Sequence, residues 1–406
     1  MRQTISLGLS REHLQAYLEA TGYWGTAELR RRNAYVLSPS AYVLSPRQKT
    51  QLDRLSQATF GAVCRLSGHL SKLAGEHSLT NPDAQFLSLA RTGLRGLLSP
   101  AEIAGAAPPL LKVDLVQDEE GKFFIAEADA YNPRGFGYMA LLDGSIPNSL
   151  KRSGPGIAAV ADLMRKQEVC TAAEWLIIVS EQERFYKPAF EVFRSVLARH
   201  GVYARIVDEA GIDKELFGTE TIHVFVIPET LNRNTEGREH LLDRFRQGTA
   251  RVFYPPAAYL GSKAFLPYLA QQENMAEFVP PCSLVSRKID PLLVCNGYPA
   301  VLKGVMSSGM KQVIFSGADP DMFEKTLAEA RSTKRPTWVM QREVKQKPVP
   351  VVVFFDDGTG CIERDYYLRI TAYIGESGLV GAEVTGRTDP KVHGAPDCIQ
   401  IPTILG

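Results

Sequence analysis

Residues 112–138 read KVDLVQDEEGKFFIAEADAYNPRGFGY, and the fold is decided by how this stretch is read. An apolar run over 113–116 meets the polar turn Asp118-Glu119-Glu120-Gly121, and a second run follows over 122–128. That is the pattern of a β-hairpin. With Glu119 and Glu120 at the tip, Asp114 falls opposite Ile125. Side chains alternate faces along a strand, so Asp114, Glu127 and Asp129 share a face, with diagonal neighbours roughly 7–8 Å apart. No basic partner is evident for these three acids, and like charges repel. A hard cation such as Mg²⁺, bound by a few carboxylates and the oxygens of a phosphate substrate, would relieve the repulsion. A solvated face of ordinary surface acids is the other reading, and the hairpin alone does not choose between them.

The rest of the chain sets the context. Its 406 residues exceed one compact core and predict two or three domains. The composition, 45% hydrophobic and 22% charged, is that of an ordinary globular protein. A net charge of +1 gives no field that points to nucleic acid or an anionic membrane. No apolar run is long enough for a transmembrane helix, and the N-terminal stretch does not read as a signal peptide. Six cysteines without a Cys-x-x-Cys pair suit reduced thiols and a cytoplasmic location. Neither a Gly-x-Ser-x-Gly elbow nor a GxxxxGK[ST] phosphate loop occurs.

In chain order, residues 1–110 are expected to be mostly helical, with apolar residues at helical spacing over 47–73 and 86–98. The tandem AYVLSP at 34–39 and 41–46 reads as a duplicated, exposed, extended segment. After the hairpin, a short helix is expected over 138–142. GFGYMA there matches a dinucleotide G-x-G-x-x-A pattern, but no strand-turn-helix unit surrounds it, and a close turn permitted by glycine is the better reading. From 151 to 260 strands (175–180, 202–207, 223–227) alternate with helix (189–200), predicting a parallel sheet covered on both faces. Ser180, Glu181, Glu183 and Arg184 follow its first strand, where such sheets bind ligands, and a solvated loop is an equally good reading of them. From 261 onward come the strand AVLK ending on Lys303, a glycine loop 304–311, a strand at 312–315 and a helix at 319–331. Strands at 337–340, 349–355 and 366–373 follow, then a turn-rich tail from 375.

Several residues could carry chemistry. Lys303, at the end of an apolar strand before a Ser/Gly loop, is placed like a phosphate ligand, with Ser307, Ser308, Gly309 and Lys311 in that loop. Either lysine alone reads better as a snorkelling surface residue. Gln341 and Glu343, in WVMQREV, leave a strand end where backbone groups become free to bind a ring edge. Arg369 interrupts an apolar strand and must point outward or face an anion. Arg387 is compatible with a second anion contact, and His393 with a positioned loop residue.

Taken together these pieces resemble the ATP-grasp superfamily, most closely its circularly permuted branch, which includes glutathionylspermidine synthetase. The hairpin pattern D-x(12)-E-x-[ND] is met by Asp114, Glu127 and Asp129. PPAAYLGSK, ending on Lys263, resembles the segment at the entrance to the ATP-binding lobe. VLKGVMSSGMKQV resembles the lysine strand and phosphate loop, WVMQREV the adenine hinge, and YYLRITAYI…GAEVTGR the late arginine-bearing strands. The likeness covers roughly residues 111–406. The acids precede the lysines in the chain, which is why the permuted branch fits. Asp129 stands where the family often has Asn, and Asn132 lies close by.

The resemblance implies an α/β (α+β) chain with an ATP-grasp fold. Its parts would be a helical N-terminal region (1–110), a metal-binding hairpin (111–150), a Rossmann-like pre-ATP-grasp domain (151–260) and an ATP-binding domain (261–406). It implies a carboxylate–amine ligase that uses ATP and Mg²⁺ and passes through an acylphosphate. Lys263, Lys303, Ser307, Ser308, Gly309, Lys311, Gln341, Glu343 and Val344 would bind nucleotide. Asp114, Glu127 and Asp129 would bind metal, and Arg369 and Arg387 would stabilise transferring charge. The partners are then a small carboxylate and an amine such as an amino acid, short peptide or polyamine. The oligomeric state stays open, a homodimer included. Phosphotransfer without ligation, ligation to an acyl carrier, and a nucleotide-binding regulatory module are the competing readings.

Overall fold

The computed structural model describes residues 3–21, 36–75, 107–131, 134–168, 174–212, 221–226, 235–254, 258–287, 295–305, 312–333, 336–354, 360–392 and 397–406. The expected helix over 86–98, the loop residues Ser307, Ser308, Gly309 and Lys311, and Asn132 and His393 lie outside them.

The hairpin forms from strands Leu110–Gln117 and Phe123–Asp129. It makes one edge of a seven-stranded sheet, next to the long arginine strand Cys361–Gly375 and the glutamate strand Gly378–Arg387. The glutamate strand and the short strands Ile399–Ile401 and Thr403–Leu405 occupy much of the tail that composition had marked as turn-rich. Turn residues there include Gly378, at φ 107°, which closes the tight connection between the two long strands.

One face of this sheet is apolar. Val113, Leu115, Ile370 and Val384 pack on Leu52, Leu55, Val63 and Leu66 of the helix Pro46–Gly75, whose helical apolar spacing is the expected one. The same helix caps the free edge of the hairpin: Gln51 accepts from the Phe123 amide and donates to its carbonyl, both at 3.2 Å. The described part of residues 1–110 is not only helical. Val36–Leu37 and Ser40–Leu44 are strands that pair with the C-terminal strands Ile399–Ile401 and Thr403–Leu405. The second AYVLSP copy is therefore extended but not exposed, since Tyr42 is fully buried.

The predicted parallel sheet is present in the order Tyr203–Asp208, Glu174–Val179, Ile222–Val226, Ala250–Val252. Helix Thr235–Arg246 places Leu241 against one face, and helix Lys187–Arg199 covers the other. A fourth unit is the antiparallel sheet Cys282–Val285, Trp338–Arg342, Ala300–Gly304, Val313–Phe315, backed by helix Pro320–Ser332. The mixed α/β class expected from the sequence is the one observed. No described helix is long and apolar enough to cross a membrane.

Helix Phe136–Ser145, longer than the pattern over 138–142 suggested, is apolar nearly all round and sits between the large sheet and helix Lys187–Arg199. Its closest approach uses Gly137. A Cβ there would lie 1.9 Å from the Ala189 carbonyl oxygen and 2.4 Å from its carbon. Gly137→Ala is thus expected to cost about 1–3 kcal/mol, as overpacking does when backbone must move, measured by urea unfolding. A change below the error of that measurement would refute the contact.

Candidate functional site

The opposite face of the large sheet is polar. The turn closes with Gly121 bonded to Asp118 and the pairing runs one residue away from the simple expectation, with Leu115, not Asp114, opposite Ile125. A shift then follows, so that Asp114 faces Glu127 and Lys112 faces Asp129. Ala126 is the extra residue of this β-bulge. The three acids do share a face, but they have the basic partner that the sequence reading missed. Lys112 Nζ lies 3.3 Å from Asp114 Oδ2, two residues away on the same face.

The bulge also builds the junction with the antiparallel sheet. The Ala126 carbonyl accepts from Lys303 Nζ at 2.8 Å, and the Ile125 carbonyl accepts from Gln341 Nε2 at 3.2 Å. Lys303 Nζ also donates to Gln341 Oε1 at 2.6 Å, because Lys303 and Gln341 sit on the adjacent strands Ala300–Gly304 and Trp338–Arg342. Lys263 Nζ donates to Glu127 Oε1 at 3.1 Å, and its backbone amide is tied to Val305 just past the lysine strand. Two lysines nearly out of water, each 7% exposed or less, therefore meet at the bulge beside one carboxylate. Burial pushes the Lys303 ammonium down to about 8, with Lys263 adding to the effect and Glu127 opposing it. Glu343 follows on, its carboxyl pushed up by burial and its amide bonded to the Pro299 carbonyl, with Val344 half-buried next to it.

Asp114 is held by the sheet interior. Thr371 Oγ1 donates to Oδ1 at 2.7 Å, and Lys112 and Arg369 approach Oδ2 at 3.3 and 3.8 Å. Burial alone would raise its pKa, but these cations and the hydroxyl outweigh it and hold the carboxyl at about 2. Arg369 further donates to Thr385 at 3.3 Å. It faces an anion, as an arginine on an apolar strand must. Arg387 shares none of these partners. It clamps the following turn through Asp397 at 2.8 Å and the Lys391 carbonyl at 2.9 Å.

At the end of the parallel sheet, Ser180 donates to Glu183 at 3.1 Å and Glu183 pairs with Arg134. Glu181 and Arg184, by contrast, are exposed and pair with each other at 2.8 Å. Tyr186 in this loop is raised mainly by burial, and it also feels Arg134, Lys112 and Arg369, which sets the loop over the polar face. Sequence reasoning overlooked Lys112, Arg134, Tyr186, Tyr373 and Glu383. Only the Lys112–Asp114 spacing of two, typical of one strand face, offered a signal for any of them.

Among the described residues no three His, Cys, Asp or Glu side chains are gathered as a metal cage. Asp114 has its oxygens engaged. Glu127, which accepts from Lys263, and Asp129, whose Oδ1 accepts from the Tyr131 amide, lie on one face of an edge strand, and such a pair suits an ion that takes one or two carboxylates and completes its shell with phosphate oxygens and water.

No family model matches the chain. No curated protein matches it either. The fold is shared with a solved structure, a glutathione synthetase-like effector from Globodera pallida in its apo form. The two agree with a TM-score of 0.58 at 11% identity over 98% of this chain and 99% of that one. A protein described as a gamma-glutamylcysteine synthetase of Methylobacillus flagellatus agrees with a TM-score of 0.41 at 12% identity over 85% and 88% of the two chains. That second likeness is too remote to carry an argument.

Proposed function

We propose that the chain is an ATP-dependent carboxylate–amine ligase of the ATP-grasp kind that releases ADP. The observation that carries this reading is the meeting of Lys303 and Lys263 at the bulge beside Glu127. Two buried ammonium groups share one carboxylate here, so this corner of the site carries more positive than negative charge and suits an anionic ligand. The fold shared with a glutathione synthetase-like protein supports the same class.

In this reading Lys303, Lys263 and the loop residues Ser307, Ser308, Gly309 and Lys311 hold the phosphates. Gln341, Glu343 and Val344 border the base. Glu127 and Asp129 would hold Mg²⁺, whose role is to neutralise phosphoryl oxygens. Asp114 is better placed to fix Lys112 and Arg369 than to ligate. A substrate carboxylate lying against Lys112 and Arg369 would take the γ-phosphoryl group from ATP, leaving ADP, and an amine would then displace phosphate from the acylphosphate to form the amide. The loops over the face would keep water from that intermediate. Arg387 keeps its proposed charge-stabilising role only if its Asp397 contact opens during turnover.

The test is ADP release from Mg-ATP against panels of carboxylates and amines, with release that requires both as the supporting result. Glu127→Gln is expected to lower that rate by at least about 100-fold, the size of a lost charge-stabilising group at a reacting centre, with circular dichroism unchanged. Absence of nucleotide binding in calorimetry would overturn the reading.

A further inference from the structure

The polar face runs on past Asp114. Thr371 is opposite Asp114 on one side and opposite Glu383 on the other, so three side chains form a row across three strands. Glu383 is 4% exposed. Its Oε1 accepts from the Tyr373 hydroxyl at 3.3 Å, while Oε2 is buried with no hydrogen-bond partner among the described residues. Burial pushes the carboxyl up to about 7, against the pull of Lys112 and Arg369.

The backbone packs closely over the Tyr373–Glu383 pair at Gly135. Gly135, at φ 119°, has no Cβ, and one there would lie 2.1 Å from the Tyr373 hydroxyl and 3.3 Å from Glu383 Oε1. A carboxyl oxygen left unmet in such surroundings costs free energy, and the cost is offset only when a donor reaches it. Charge says what kind of donor. Lys112 and Arg369 are matched by Asp114 and Glu383, so a lone cation would meet two like charges nearby. A neutral zwitterion leaves the balance intact, its carboxylate toward the two cations and its ammonium toward the free oxygen.

We propose that Glu383 is a specificity-determining residue that receives the protonated amine of a zwitterionic, amino-acid-like head group. Glu383 stands three strands from Glu127, about 14 Å away at the usual strand spacing. It therefore stands away from the residues proposed to hold the nucleotide and receives the substrate's amine beside the carboxylate that Lys112 and Arg369 hold. That this head group belongs to a ligase substrate rests on the function proposed above, whereas the ammonium site itself does not.

Binding is measured by calorimetry at pH 8 with glycine, β-alanine and 4-aminobutyrate, each against its des-amino carboxylate acetate, propionate or butyrate. ATP titrations are run on the same samples. Wild-type protein is expected to bind at least one amino acid at least tenfold more tightly than its des-amino partner. Glu383→Gln, which keeps the shape, is expected to bring that ratio within twofold while ATP affinity stays unchanged. A wild-type ratio near one for all three pairs, or a ratio that survives in Glu383→Gln, overturns the proposal. Failure of ATP to bind would instead remove the ligase reading and leave the amine preference to be judged on its own ratio.

Discussion

Lys303→Met is expected to weaken ATP binding by at least about 100-fold, the scale of losing one charge-assisted contact in a desolvated site. Lys303 is 7% exposed and its ammonium is shared between the Ala126 carbonyl and Gln341 Oε1. An incoming phosphate finds that charge already fixed and out of water. The pH dependence gives a second readout. Burial lowers the folded-state pKa of Lys303 from 10.5 to about 8. The charge, and with it ATP affinity, should decline as pH rises through about 8, and the Met variant should lack that limb. Stability runs the opposite way. The folded state loses this proton before the unfolded chain does, so the cost of burying the charge is full below 8 and is relieved as pH climbs toward 10.5. Calorimetric titrations of both proteins from pH 6.5 to 9.5 check the affinity. Equal affinities at pH 7 would show that Lys303 is a structural lysine.

Asp114→Asn should lower stability by about 3 kcal/mol, because it removes the acid that two partly buried cations share. The carboxylate has Thr371, Lys112 and Arg369 around it and is 7% exposed. With a folded pKa of about 2 against an ordinary 3.8, its protonation alone contributes about 2 kcal/mol. That stability is present above pH 4 and is lost as pH falls toward 2. Urea unfolding at pH 7 and an acid titration followed by tryptophan fluorescence measure the two effects. A variant as stable as wild type at pH 7 would mean that Lys112 and Arg369 are neutralised by other groups.

Much of the architecture was legible because it is local. The hairpin runs, the helix Pro46–Gly75, the alternation of strands and helices from 174 to 252, and the strand ending near Lys303 are periodicities that one stretch of chain carries by itself. The tail misled for the same reason. Composition marked the stretch from 375 as turn-rich, yet Gly378–Arg387 is a nearly buried strand whose partner strands lie on both sides, and only the resemblance of GAEVTGR to an arginine-bearing strand had pointed that way. The AYVLSP segment was expected at the surface, and pairing with the chain's last strands buried it.

The candidate site divides along the same line. The sequence by itself determined that Glu127 and Asp129 share one face of a strand and that a lysine ends an apolar strand, since side-chain alternation is a property of the backbone; Asp114 joins their face only through the bulge. Tertiary structure alone decided which residues they meet. The bulge at Ala126 sets Glu127 opposite Asp114 and turns a carbonyl toward Lys303, a residue 177 positions on. Thr371 and Glu383 reach Asp114 only through the order of strands in the sheet. A charge's partner is fixed by which strands lie side by side, and here the hairpin at 110–129 lies beside a strand at 361–375.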